Sequence, residues 1–86
     1  MSFRVIAAEA ACGVNVGAAS TFSNSTDVRL VNSGATNRVV TVADSADATL
    51  GSFTLADGEV TFIRKDQTDQ IFAANAEVLG TPVIFS

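Results

Sequence analysis

From Asp27 to the end of the chain, every apolar run is short, and a cluster of Gly, Asn, Asp or Ser closes each one. That punctuation excludes long helices, because no 3.6-residue periodicity survives past a single run. What it allows is about five to eight short strands separated by turns. The fold class this implies is all-β: a small antiparallel β-sandwich or barrel.

The runs can be read individually. Val28 and Leu30 share one face of a strand over 27–32, and Arg29 lies on the other. Residues 32–37 form a turn cluster, after which the β-branched stretch Arg38 to Ala43 reads as the return strand. A polar break at 44–47 precedes an alternating strand in which Phe53 and Leu55 point inward. Asp57-Gly58 is a strong hairpin signal, since Gly takes the left-handed conformation without steric cost. The strand returning from it, 59–64, points Val60 and Phe62 the same way as Phe53, making Phe53 and Phe62 the expected centre of the core. Asp66 is placed to cap a short helical turn over 67–70, and Ile71 and Phe72 then re-enter the core. Residues 77–80 and 82–85 read as a final pair of strand segments, with Pro82 at an edge or beside a break because it lacks a backbone donor.

Residues 1–26 carry weaker signals and read as an extended N-terminal arm with first strands, Phe3 to Ala7 and Val14 to Val16, ahead of a β-sandwich core over 27–86. One domain is expected from 86 residues. Its core is light: Ala and Val dominate, Trp and Tyr are absent, and six Phe supply the aromatic bulk. Chains with light cores often gain stability by association. The Ala-Ala-Cys preceding Gly13 imitates a lipoprotein cleavage site. Glu9 interrupts the apolar run, however, so no secretory signal and no membrane anchoring are expected. Asn24-Ser25-Thr26, an acceptor pattern for glycosylation, is then only a polar turn.

Catalytic chemistry has few places to reside. The chain contains no His, which removes Ser-His-Asp and Cys-His arrangements and most zinc or copper sites. The single Cys12 cannot form an internal disulfide, and it reads as a small apolar residue of a protein made in reducing cytoplasm. The pairs Asp44/Asp47 and Asp66/Asp69 sit in turns, where carboxylates normally bond to the backbone. A weak surface calcium site is the most that the first pair suggests. Glycine-rich phosphate loops are absent. A net charge of −4 with five scattered bases argues against nucleic-acid partners. No cofactor and no enzymatic activity are expected.

What remains is the cluster Arg64-Lys65-Asp66 at the end of an apolar strand. It reads either as a solvated terminus whose charges discourage edge pairing, or as an intersubunit contact in which Arg64 forms a forked pair with a neighbour's carboxylate. Lys65, the only lysine, is expected to be solvated. Arg29, Phe3 and Arg4 are the further candidate contact residues.

The runs Val28 to Gly34, Val40 to Val42, Gly51 to Val60 and Phe62 to Asp69, taken together, resemble small virion structural proteins of tailed phages, notably those of marine and cyanobacterial hosts. The resemblance covers about residues 27–86 and consists of hairpin and strand-end patterns, such as G-x-F-x-L-x-x-G-x-V, that many β-sandwich modules share. It implies a capsid decoration, or cement, protein located on the virion surface. Its partner would be the major capsid protein, whose neighbouring subunits it clamps, often as a homo-oligomer, with trimers favoured. An extended 1–26 segment would suit reaching a neighbour. The alternatives are a small tail or neck component, or a carbohydrate-binding β-sandwich module, although the latter usually offers a Trp or Tyr platform that this chain lacks.

Overall fold

The computed structural model describes residues 3–85, with the side chain of Phe3 outside the description. Eight strands follow one another: β1 (Phe3–Val5), β2 (Ala10–Ala11), β3 (Asp27–Asn32), β4 (Arg38–Ala43), β5 (Thr49–Leu55), β6 (Val60–Arg64), β7 (Gln70–Ala73) and β8 (Val78–Phe85). A single 3-10 turn, Val16–Ala18, is the only helical element among the described residues. One sheet has the order β1-β8-β3-β6, with β2 also pairing β8; the other has the order β5-β4-β7. All strand pairs are antiparallel and neither sheet closes. The chain is all-β, as the punctuation of its apolar runs predicts.

Strand positions follow the sequence reading, but strand partners do not. Only β4 and β5 form a hairpin, turned over 44–48, where the Asp44 N–H donates to the Ala48 carbonyl at 2.9 Å. β4 is not the return strand of β3, because it lies in the other sheet. Nor do β5 and β6 pair across Asp57-Gly58. The turn is present, with Gly58 at φ +74° and the Glu59 N–H on the Ala56 carbonyl at 2.9 Å. Its far side, however, is tied to β3: Gly58 N–H donates to the Asn32 carbonyl at 3.0 Å, and Asn32 N–H to Glu59 at 3.1 Å. A Gly-containing turn encodes reversal of direction and leaves open which sheet receives the next strand.

That exchange of partner inverts β6. Val28 and Leu30 point into the core, fully buried, with Arg29 on the opposite face as expected. Phe62 lies opposite Arg29 and Val60 opposite Val31, so both face outward, and Ile63 packs against the core instead. Phe62 is therefore not a core residue, and Phe53 packs only at the core's margin. The centre is filled by Leu30, Leu55, Ile71, Val40 and Val78, with Cys12 and Phe22 from the N-terminal segment.

β8 is one continuous strand rather than two, and Pro82 lies in its middle between two neighbours. The missing donor is tolerated for a geometric reason. The Pro82 carbonyl accepts from Ile6 N–H at 3.0 Å, so its backbone polar side faces β1 and β2, where residues 7–9 leave the sheet between the two short strands. The proline does sit beside a break, as its chemistry requires.

Residues 3–26 cross from one sheet to the other. After β2, Cys12 N–H bonds to the Val78 carbonyl at 2.9 Å, and Gly13 accepts from Ala73 at 2.9 Å. Ser20 and Ile71 exchange backbone bonds at 3.0 and 2.8 Å, so this segment covers the β7 edge. The expected strand over 14–16 is not formed. Asn15 instead caps the 3-10 turn, accepting from Ala18 N–H at 3.1 Å, which fits the preference of Asn for caps over strands. Phe22, Ser23 and Asn24 then adopt left-handed φ of 49°, 60° and 55°, which swings the Phe22 ring into the core. Gly80 is what admits that ring: a Cβ there would lie 2.5 Å from it.

Candidate interaction surface

Arg64 ends β6 opposite Asp27, and its Nε donates to Asp27 Oδ1 at 3.2 Å. The Asp27 side chain is only 12 % exposed, whereas that of Arg64 is 80 % exposed. Most of the guanidinium therefore faces solvent while its base is held in place, a geometry suited to a second carboxylate.

Lys65 is not solvated. It is 6 % exposed, and its Nζ donates to the carbonyls of Ser25 at 2.7 Å, Asp66 at 3.2 Å and Gln67 at 3.4 Å. Burial pushes the ammonium below its ordinary range, offset in part by the carboxylates of Asp69 and Asp66. The side chain fastens the entry of β3 to the turn after β6, so it acts as a structural staple with its ammonium engaged by these carbonyls. Asp66 is exposed but does not cap a helix. Residues 66–69 form a single turn, with Asp69 N–H on the Asp66 carbonyl at 3.0 Å and Asp66 N–H on Asp69 Oδ2 at 3.1 Å. These side chains and Thr26 rim an open depression of about 650 Å³.

Beside it runs a narrower slot of about 390 Å³ between the edges of β5 and β6, lined by Leu50, Gly51, Phe53, Ile63 and Arg64 among others. The slot exists because β6 belongs to one sheet and β5 to the other, and no strand bridges them on this flank. Its walls are mainly apolar, and Arg64, Lys65 and Asp69 line it as well.

The other candidates are dispersed. Arg29 shares the outer face of the first sheet with Arg64, and its Nη1 pairs with Glu9 Oε2 at 3.5 Å. Arg4 is exposed, but its register opposite Ile84 puts it on the other face. Phe3 enters β1 opposite Phe85 through its backbone.

The carboxylate pairs serve the turns. Asp44 Oδ1 accepts from Ala46 and Ala48 N–H at 2.9 and 3.0 Å, and Asp47 Oδ1 accepts from Gln70 Nε2 at 2.8 Å. Among the described residues, no three His, Cys, Asp or Glu converge as metal ligands, and no helix is long and apolar enough to cross a membrane.

A polar residue that the motif reading passed over organises the crossing between sheets. Asn32 is fully buried; its Nδ2 donates to Thr36 at 2.7 Å and Leu55 at 3.1 Å, and its Oδ1 accepts from Gly34 at 3.0 Å. The signal was its parity, since it follows Val28 and Leu30 on the inward face of β3. Comparison with protein-family models, with curated proteins and with solved structures finds no match for the chain.

Proposed function

We propose that this chain is a non-enzymatic virion structural protein, a capsid decoration protein that binds neighbouring major capsid subunits and stabilises the shell. The observation that carries the reading is the mainly apolar slot between β5 and β6, lined also by the 80 % exposed Arg64 side chain. An extended segment of a capsid subunit would lie along the slot beside Leu50, Phe53 and Ile63, and its carboxylate would take the forked donors of Arg64. The titratable residues support the same reading: Lys65 donates to backbone carbonyls, and Asp44 and Asp69 accept from backbone N–H groups, so these side chains hold the scaffold's own turns. The resemblance of residues 27–86 to phage virion proteins supplies the identity of the partner.

The experiment is to purify virions, identify their proteins by mass spectrometry and locate the chain's density by cryo-electron microscopy. The reading expects the chain in stoichiometric amount, on the outer surface of the head, with Arg64 at the contact. Its absence from particles, or density confined to the tail, would sink the decoration role.

A further inference from the structure

The edges of the two sheets are not protected alike. The β7 edge is covered by the N-terminal segment, where Ala73 N–H donates to the Gly13 carbonyl at 2.9 Å and Ser20 and Ile71 exchange bonds. β1 and β2 are three and two residues long, short enough to blunt their edge. β6 ends on the charged Arg64. β5 has none of these guards. Its seven residues, Thr49–Leu55, form the longest strand with a side that no described strand pairs, since β4 alone is its neighbour. It contains no charge and no proline, and residues 49–52 and 54 are exposed. A long, neutral, exposed edge is a template for another strand. Its one irregularity is a bulge at Leu50, where Gly51 opposes Val42 and Thr49 opposes Ala43, so 51–55 stays regular.

The register identifies the open backbone groups. Ala74 N–H donates to the Val39 carbonyl at 2.9 Å, so Val39 turns its polar groups toward the β7 side, and by alternation so does Thr41. Their partners across the β4-β5 ladder are Thr54 and Ser52. In an antiparallel pair, two opposed residues that do not bond each other turn their N–H and C=O groups apart. Ser52 and Thr54 therefore direct both groups away from β4, whereas Gly51, Phe53 and Leu55 direct theirs toward it. The open row lies on the flank of the slot that Phe53, Ile63 and Arg64 line.

We infer that the capsid segment binds by adding a fourth strand to the β5-β4-β7 sheet. About five of its residues run antiparallel to 51–55, and its main chain bonds to the N–H and C=O groups of Ser52 and Thr54. Alternate side chains of the segment then face inward over the slot, between Phe53 and Ile63, and are apolar; the others face solvent beside Ser52 and Thr54. Arg64 shares the slot with Leu50 and Gly51, near the start of β5. An antiparallel segment reaches that end last, so its acidic residue follows the apolar stretch. The inference rests on the decoration role and adds the mode of recognition: affinity from the backbone, specificity from apolar side chains and one carboxylate.

Amide hydrogen exchange tests it, read by NMR on the free chain and, after quenching, on the chain bound to capsids stripped of it. In the free chain the Ser52 and Thr54 amides should exchange fast, with Phe53 protected by β4. On capsids the first two should slow by about tenfold or more. Thr54→Pro removes one open N–H and spares the β4 ladder. It should stay folded by circular dichroism and bind capsids about tenfold more weakly. Wild-type binding that Arg64→Ala weakens, with Ser52 and Thr54 still exchanging fast, overturns the added strand and leaves the decoration role standing. So does a Thr54→Pro chain that binds as tightly as wild type. Failure of the wild type to bind capsids overturns both. Protection of these two amides that grows with the concentration of the free chain alone overturns the inference and assigns the edge to a second copy. If Thr54→Pro does not fold, the exchange of the wild-type amides decides.

Discussion

Removing the Asn32 side chain should unfasten the two sheets where the chain crosses between them. The residue is fully buried, and its amide engages Thr36, Leu55 and Gly34. Asn32→Ala leaves the Leu55 carbonyl without its partner in a buried setting, at a cost of about 1–3 kcal/mol. The bonds to Thr36 and Gly34 are only partly buried, water replaces them in part, and each contributes about 0.5–1 kcal/mol. The sum is about 3 kcal/mol, which for a domain of this size corresponds to a fall in Tm of roughly 12–24 °C. Urea unfolding followed by circular dichroism gives the free energy, and a thermal scan gives Tm. Asn32→Asp sharpens the test, because it replaces a donor by a carboxylate facing two carbonyls. That variant should be less stable than Asn32→Ala at pH 7 and recover as the pH falls and the carboxyl regains a proton to donate. A loss under 1 kcal/mol for Asn32→Ala, or no recovery of Asn32→Asp in acid, would refute the role assigned to this amide.

Other perturbations follow the same logic. Lys65→Met should destabilise the fold by about 1–3 kcal/mol, because three carbonyls lose an ammonium donor. With the folded Lys65 value lowered by burial, the unfolded chain binds more protons between that value and the ordinary 10.5. Wild-type stability should therefore rise through that alkaline window relative to Lys65→Met, and parallel urea titrations with no difference in slope would count against the buried ammonium. Burial pushes the Cys12 thiol up to about 11, so a thiol reagent at pH 8 should react about a hundredfold slower than with the unfolded chain from thiolate fraction alone. Equal rates would mean that the 10–20 segment opens readily. Gly80→Ala puts a methyl into the Phe22 ring and should lower stability by about 1–3 kcal/mol, with Phe22→Leu,Gly80→Ala recovering part of it in a double-mutant cycle.

How far the sequence could be read depended on how local the determining physics was. Strand positions from Asp27 onward were legible because alternation and turn chemistry act over a few residues. Strand partners were not. The Asp57-Gly58 turn occurs where the dipeptide predicts it, yet β6 pairs with β3 because backbone bonds from Asn32 to Gly58 and Glu59 capture it. With the partner went the face, so Val60 and Phe62 moved from expected core to exposed surface. A one-residue change of parity inverts a whole strand, and nothing within five residues specifies it. The charged cluster divided in the same way. Arg64 was placed correctly at a strand end, but Lys65 turned inward because the nearest of the three carbonyls that receive it, at 2.7 Å, comes from Ser25, forty positions earlier. Phe22 gave no strand or helix signal, since three consecutive left-handed residues carry it into the core.

The proposed binding of a shell through the slot beside Arg64 is tested most directly by adding the chain to particles that lack it. Co-sedimentation with stripped capsids should saturate and raise the capsid melting temperature. Arg64→Ala should bind at least tenfold more weakly, with its own Tm within a few degrees of wild type because the side chain is 80 % exposed. Failure of the wild-type chain to co-sediment with the particles, or binding that Arg64→Ala leaves unchanged, would contradict the account.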